Sequence, residues 1–415
     1  MALNARRLQS APVYLLGAGL VLAIYGFLFP ALNWPDEFRN VQLLQRASEG
    51  GYAFLYGHFA NSVVAVANAL FDLNELGDVR GVVQQSSGFQ MINGDLRYRT
   101  VADVPAVYYF AKFANLMLAG VFAACMVLYL SGARRQSPSA DSDVRVFLLS
   151  LCFPSVAYGV MQISTDILFT LFSLVPFFLR SRAASFWFAL LMALLVVEDR
   201  GFLLLSAFVL LREFYGALLL HRIAPAGWGK RLGWLLFIAS SIIAAAWLAS
   251  HLFTNAAYLN RIFPGLGDGV ALALEYTHIK SYNIAASLVI FYAGFILMPG
   301  ATEFFAAMLP LYLLLLFAAV RFLAYCLSGR YGEEGDRAFI ALLSVLTVFF
   351  FLTGVVHVFE SGRYYLYLVP YLVHALLAGA LRLRGTGVRP EWAMQFGFTL
   401  IAVGVTLLAY LPRVG

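Results

Sequence analysis

Apolar runs recur along the whole chain, separated by short polar connections; most approach the length needed to cross about 30 Å of hydrocarbon as helices, and several are short. The first extends from about Pro12 to Leu32, and ten more lie roughly at Ala106–Leu130, Val146–Gln162, Ile167–Leu179, Phe186–Val197, Phe202–Leu220, Leu232–Leu252, Phe304–Leu327, Phe339–Val356, Tyr364–Leu381 and Trp392–Leu411. The stretch Ile284 to Met298 is also apolar, but a full span there would throw the last two basic connections to the opposite side. It therefore reads as re-entrant or interfacial within a second outer region, residues 253–303. The pattern predicts an all-α polytopic membrane protein of about 11 transmembrane helices (10–13), forming one transmembrane domain over residues 1–415.

The longest polar stretch, Asn33 to Pro105, follows the first span. Within it, Asp36–Ala47 and Phe54–Leu73 place apolar residues at helical spacing (Phe38, Val41 and Leu44; then Phe59, Val63, Val66 and Leu70), as amphipathic juxtamembrane helices do. Gln84 to Gly94 reads as a loop. Arg6 and Arg7 precede the first span, and Arg134-Arg135, Arg180 to Arg182, His221 to Arg231, Arg321 to Arg337 and Arg382 to Arg389 fall on the same side as they do. The positive-inside rule then holds the N-terminus in the cytoplasm of an inner (plasma) membrane and makes residues 33–105 a first periplasmic loop.

Composition sharpens this. Of 415 residues, 62% are hydrophobic and 12% charged, with a mean hydropathy of +0.80. Soluble domains carry about a quarter charged residues, so a water-soluble enzyme is excluded. The formal charge of +6 lies mostly between apolar runs, where it suits orientation and anionic headgroups and not a nucleic acid. Cys125, Cys152 and Cys326 sit in apolar stretches without metal or disulfide spacing.

The outward connections collect the residues that could carry chemistry. Asp36-Glu37 follows Pro35 directly after the first span. These acids either complement a helix N-terminus or offer one carboxylate as a general base. Glu198-Asp199-Arg200 interrupts an apolar run and forms either internal salt bridges or ligand contacts. Asp166 is a helix N-cap or, with Asp36, part of an oxygen-rich site for a divalent cation. His357 and Glu360 precede Gly362-Arg363-Tyr364-Tyr365. There Arg363 is either an interface anchor or a fork-like phosphate contact.

This combination resembles the GT-C superfamily of integral membrane glycosyltransferases, which includes protein mannosyltransferases and aminoarabinose transferases. The resemblance rests on Asp36-Glu37 after the first span with Gly50-Gly51-Tyr52 a short helix later, the long first outer loop, the triplet Glu198 to Arg200, and Gly362-Arg363-Tyr364 with Pro370 beyond. It implies the GT-C fold, with sugar transferred from a polyprenyl-phosphate donor such as undecaprenyl phosphate to a glycan, lipid or protein acceptor such as a pilin on the periplasmic face. It puts the catalytic acid on Asp36, with Glu37 beside it, and the donor phosphate on Arg363 with Tyr364. Arg200 stands where many relatives carry a lysine. Asp166, Glu198, Asp199, His357 and Glu360 complete the candidate cavity. A membrane glycan polymerase or ligase and a lipid-linked glycan transporter or flippase are the alternatives. Transporters built from repeats show internal symmetry, and the two halves here show none.

Overall fold

The computed structural model describes residues 11–28, 55–71, 89–92, 95–98, 106–133, 140–162, 166–198, 201–223, 227–254, 305–351, 366–380 and 390–410. These residues are almost entirely helical. In chain order the helices are α1 (Ala11–Ala23, continued by a π-helical turn Ile24–Leu28), α2 (Leu55–Phe71), α3 (Ala106–Ala133), α4 (Ala140–Leu151), α5 (Pro154–Met161) and α6 (Asp166–Ser173). They continue as α7 (Arg182–Leu194), α8 (Gly201–Ile223), α9 (Trp228–Thr254), α10 (Phe305–Leu327), α11 (Gly332–Phe351), α12 (Val369–Ala380) and α13 (Pro390–Tyr410). Each expected apolar run that falls on described residues is helical.

Among the described residues, two helices are long and apolar enough to cross a membrane, Tyr109–Gly132 and Gly201–Arg222, with a third if α4 and α5 form one span. Shorter apolar helices, among them Pro12–Leu28, Arg182–Val197 and Leu366–Ala378, pack around them. Leu16, Leu128, Trp187, Phe237, Phe396 and Leu407 stand exposed on the outside of the bundle. A water-soluble monomer rarely shows so extensive an apolar surface, so the bundle is suited to association with a membrane.

Two expectations need correction. The run Val146–Gln162 is a pair of helices bent by 62°. Pro154 has no N–H to give the Ser150 carbonyl and its ring crowds that turn; Phe153 N–H takes the carbonyl instead, at 3.1 Å. The Ser150 hydroxyl also bonds back to the Val146 carbonyl, a habit that bends helices further. The stretch Gln84–Gly94 is not wholly loop, because β1 (Phe89–Ile92) pairs antiparallel with β2 (Asp95–Tyr98), with Ile92 opposite Asp95. The sequence between them is Asn93-Gly94, the dipeptide that two-residue hairpins favour.

The core is aromatic at its contacts. Phe208 of α8 stacks on Tyr367 at 4.3 Å, Phe177 meets Tyr371 edge-on at 4.9 Å, and Phe153 meets Phe398 at 5.6 Å. Between helices in lipid, close packing replaces the hydrophobic effect as the cohesive force. Gly159 of α5 accordingly sits where an added Cβ would lie 3.1 Å from Thr170 Oγ1 of α6. Serine and threonine hydroxyls inside the helices bond to carbonyls one turn back, as Ser344 does to Ile340 and Thr406 to Ala402.

Ion pairs gather the helix ends that the basic connections predict to be together. Arg180 donates to both Asp143 carboxylate oxygens at 2.9 Å and to Glu334 at 3.0 Å. Arg145 reaches Glu391 at 2.7 Å, and Arg231 reaches Asp336 at 2.5 Å, both of its partners nearly without solvent contact. Arg180 and Arg337 both lie 5.9 Å from the Phe177 ring centroid. Burial raises the Glu334 carboxyl above its ordinary range, while the Arg180 charge pulls it down. This end, referred to as the basic end, closes one face of the bundle.

Candidate functional site

The opposite end carries a different chemistry. Here α2, from the long polar stretch after the first span, lies against α3. Its predicted apolar side divides: Tyr56 and Ala60 are buried, Phe59 and Val63 pack on the core, and Val66 and Leu70 remain exposed. An amphipathic helix docked by one edge on the bundle and open on the other fits that pattern.

Two polar contacts fix α2. The Tyr56 hydroxyl donates to Asn115 Oδ1 of α3 at 2.6 Å, and Asn115 Nδ2 donates to the Gln162 carbonyl at 2.8 Å, all buried. One amide thus ties three separated segments together. The backbone N–H of Leu55, the first residue of α2, donates to Glu198 Oε2 at 2.9 Å. A carboxylate there accepts one of the N–H groups that a helix start leaves unbonded and complements the macrodipole.

The geometry also sets depth. Asn115 lies between two and three turns into α3, so Gln162 is held roughly 13 Å along the helix from Ala106, at ~1.5 Å per residue. The end of α5 is therefore recessed below the start of α3. The π-helical turn of α1 packs on the same place: an added Cβ on Gly26 would run into Met161 Cε, and Phe27 stacks on Tyr109 at 6.3 Å. Single π turns inside helices occur often at functional sites.

Lys112 stands one turn from Asn115 on α3 and is only 8% exposed. It is the one charged residue in the sequence of α3. Lys112 lies near the start of the span Tyr109–Gly132, and its burial turns it towards the protein interior, where ionisable residues within spans usually face. The sequence reading passed over Lys112, Asn115 and Tyr56. For Lys112 a signal existed, a lone cation in a long apolar run; for the other two none did.

Of the residues singled out from sequence, Glu198 joins this cluster through α2, which favours its internal, structural reading. Asp166 opens α6 at the same end, with its side chain outside the described part. Asp36, Glu37, Asp199, Arg200, His357, Glu360, Arg363 and Tyr364 lie outside the described residues, as do the helix expected at Asp36–Ala47 and the re-entrant stretch Ile284 to Met298. Among the described residues no group of three His, Cys, Asp or Glu could hold a metal ion. No protein-family model, curated protein or solved structure matches the sequence.

Proposed function

We propose that this chain is a membrane glycosyltransferase of the GT-C type, an inner-membrane protein of about eleven spans acting on the periplasmic face. It takes a sugar from a polyprenyl-phosphate donor and passes it to a glycan, lipid or protein acceptor. The observation that supports this reading is the recessed polar cluster of Tyr56, Lys112, Asn115 and Gln162. Together with the Leu55–Glu198 contact it joins α2 to the ends of α5 and α7 at Gln162 and Glu198, which in sequence adjoin the outward acids and arginine.

In the proposed reaction the acceptor oxygen or nitrogen attacks the anomeric carbon from the face opposite the phosphate. The bond from that carbon to the phosphate oxygen breaks, and its electron pair stays on the phosphate. Asp36, or Glu37 beside it, takes the acceptor's proton. Arg363, flanked by Tyr364 and joined by Arg200, stabilises the charge that grows on the leaving phosphate, which helps the transition state more than the ground state. Asp166 with Asp36 would supply oxygen ligands if a divalent cation takes part. Purified protein given a polyprenyl-phosphate sugar labelled in the sugar should release free polyprenyl phosphate in an acceptor-dependent way. Vectorial movement of intact donor across a vesicle, with no release, would instead make the chain a transporter.

A further inference from the structure

We propose that a phospholipid with a net negative headgroup docks between α8 and α9 at the basic end of the bundle. Its phosphate lies on Arg222 and Lys230, and its chains run along the apolar sides of the two helices. The inference stands apart from glycosyl transfer and gives the bundle a lipid partner. Residues 224–227 alone separate α8 from α9, and helices joined by so short a link commonly lie antiparallel against each other. These two do not. Each packs along α11, and they scarcely touch each other. Arg231 accounts for part of this, because its buried contacts with Asp336 and the Cys326 carbonyl hold the start of α9 on α11 and α10. Phe214 and Leu218 of α8 are left exposed, as are Trp228, Leu236 and Phe237 of α9. An added Cβ on Gly216, Gly229 or Gly233 would meet nothing within 4 Å.

Charge selects the occupant. From Leu218 to Trp234 the sequence holds His221, Arg222, Lys230 and Arg231 and no Asp or Glu. Asp336 neutralises Arg231, whereas Arg222 and Lys230 are exposed and make no ion pair among the described residues. Arg222 ends the membrane-length helix Gly201–Arg222. Trp228 is exposed in the first turn of α9, and an indole suits the headgroup region. The two cations therefore stand at headgroup depth, next to apolar side chains that acyl chains can cover. A zwitterionic headgroup brings them no net charge, while an anionic one does, and basic residues clustered at the ends of spans favour anionic lipid. Such a lipid fills the place of the helix–helix packing that α8 and α9 lack. A protein helix seated there would have to bring its own acid to the same level.

The test uses the full chain in detergent and compares phosphatidylglycerol with phosphatidylcholine of identical chains, bound lipid being counted by native mass spectrometry. The wild type should prefer phosphatidylglycerol. Each cation near an anionic lipid contributes about a fivefold factor, so Lys230→Gln should lower the preference about fivefold and the double change Arg222→Gln with Lys230→Gln about twentyfold. Both side chains are exposed, so the melting temperature without added lipid should stay at the wild-type value. Arg182→Gln, which removes an exposed cation at the start of α7, should leave the preference unchanged. Phosphatidylglycerol carrying a diazirine in one chain should label Phe214–Arg222 and Trp228–Phe237 ahead of the rest of the bundle. Equal binding of the two lipids, an equal loss in Arg182→Gln, or even labelling around the bundle would each overturn the proposal, since the lipid would then only coat the whole apolar surface. A lipid-free dimer that crosslinks through α8 or α9 would place a second copy between the helices and overturn it as well.

Discussion

Buried charges in this bundle differ in what they do, and their partners decide it. Arg231 and Asp336 are both nearly inaccessible and pair at 2.5 Å, and Arg231 also donates to the Cys326 carbonyl. Removing one partner strands the other charge. Asp336→Asn should therefore lower stability by about 3–5 kcal/mol, and the double change Arg231→Met with Asp336→Leu should recover most of it, since both desolvation costs vanish together. Thermal melting of the three proteins in detergent reads this directly. The proposed base makes a contrasting prediction. Asp36→Asn should leave melting unchanged and lower transfer by ~10²- to 10⁴-fold; full turnover at neutral pH would pass the role to Glu37. Glu198 shows where a single residue stops being legible. Its charge was plain in the sequence, but its partner is the Leu55 N–H, 143 residues away, and no local pattern encodes such a pairing.

Proline and glycine shape the helices more than apolar periodicity does. Pro154 splits an apolar run that reads as one span into α4 and α5, and Pro176 sits in the 3₁₀ turn Val175–Phe178 that follows α6. These breaks shorten α5 and α6, and the end of α5 meets Asn115 at the Gln162 carbonyl. Close approach of the pair depends on Gly159. Gly159→Val should cost about 1–3 kcal/mol by overpacking against Thr170, while Gly120→Ala on α3, where nothing lies within 4 Å, should leave the melting temperature unchanged. Equal effects would mean that α5 and α6 are not packed as described. The docking of α2 is similarly testable. Tyr56→Phe combined with Glu198→Ala removes both of these polar contacts, so backbone amides of α2 should exchange with deuterium faster than in the wild type, with α8 and α11 unaffected.

At the scale of the whole molecule, the two ends of the bundle are chemically unlike, with ion pairs at one and the amide-linked cluster at the other. In the proposed orientation, which follows the sequence rule for positive residues, the basic end faces the cytoplasm. In a background lacking Cys125, Cys152 and Cys326, a cysteine at Ser62 on the exposed side of α2 should react with an impermeant maleimide in intact cells, or in spheroplasts where an outer membrane intervenes. A cysteine at Glu333 in the first turn of α11 should react only after lysis. The opposite result would invert the orientation and move the proposed chemistry to the cytoplasmic face.

What the sequence determined by itself is the helical, membrane-suited character of the chain, the positions of nearly every described helix and the grouping of basic connections at one end. These follow from apolar run length and charge position, which are local or additive properties. The tertiary structure alone decided that Val146–Gln162 bends, that α2 docks on α3, that Glu198 closes the start of α2, and that Lys112 lies buried beside the Tyr56, Asn115 and Gln162 contacts. Each depends on which residues meet across long separations in sequence. Depth is the clearest case, because a lysine in an apolar run has the same local pattern whether it faces lipid, solvent or a recessed polar cluster, and only the neighbouring helices distinguish them.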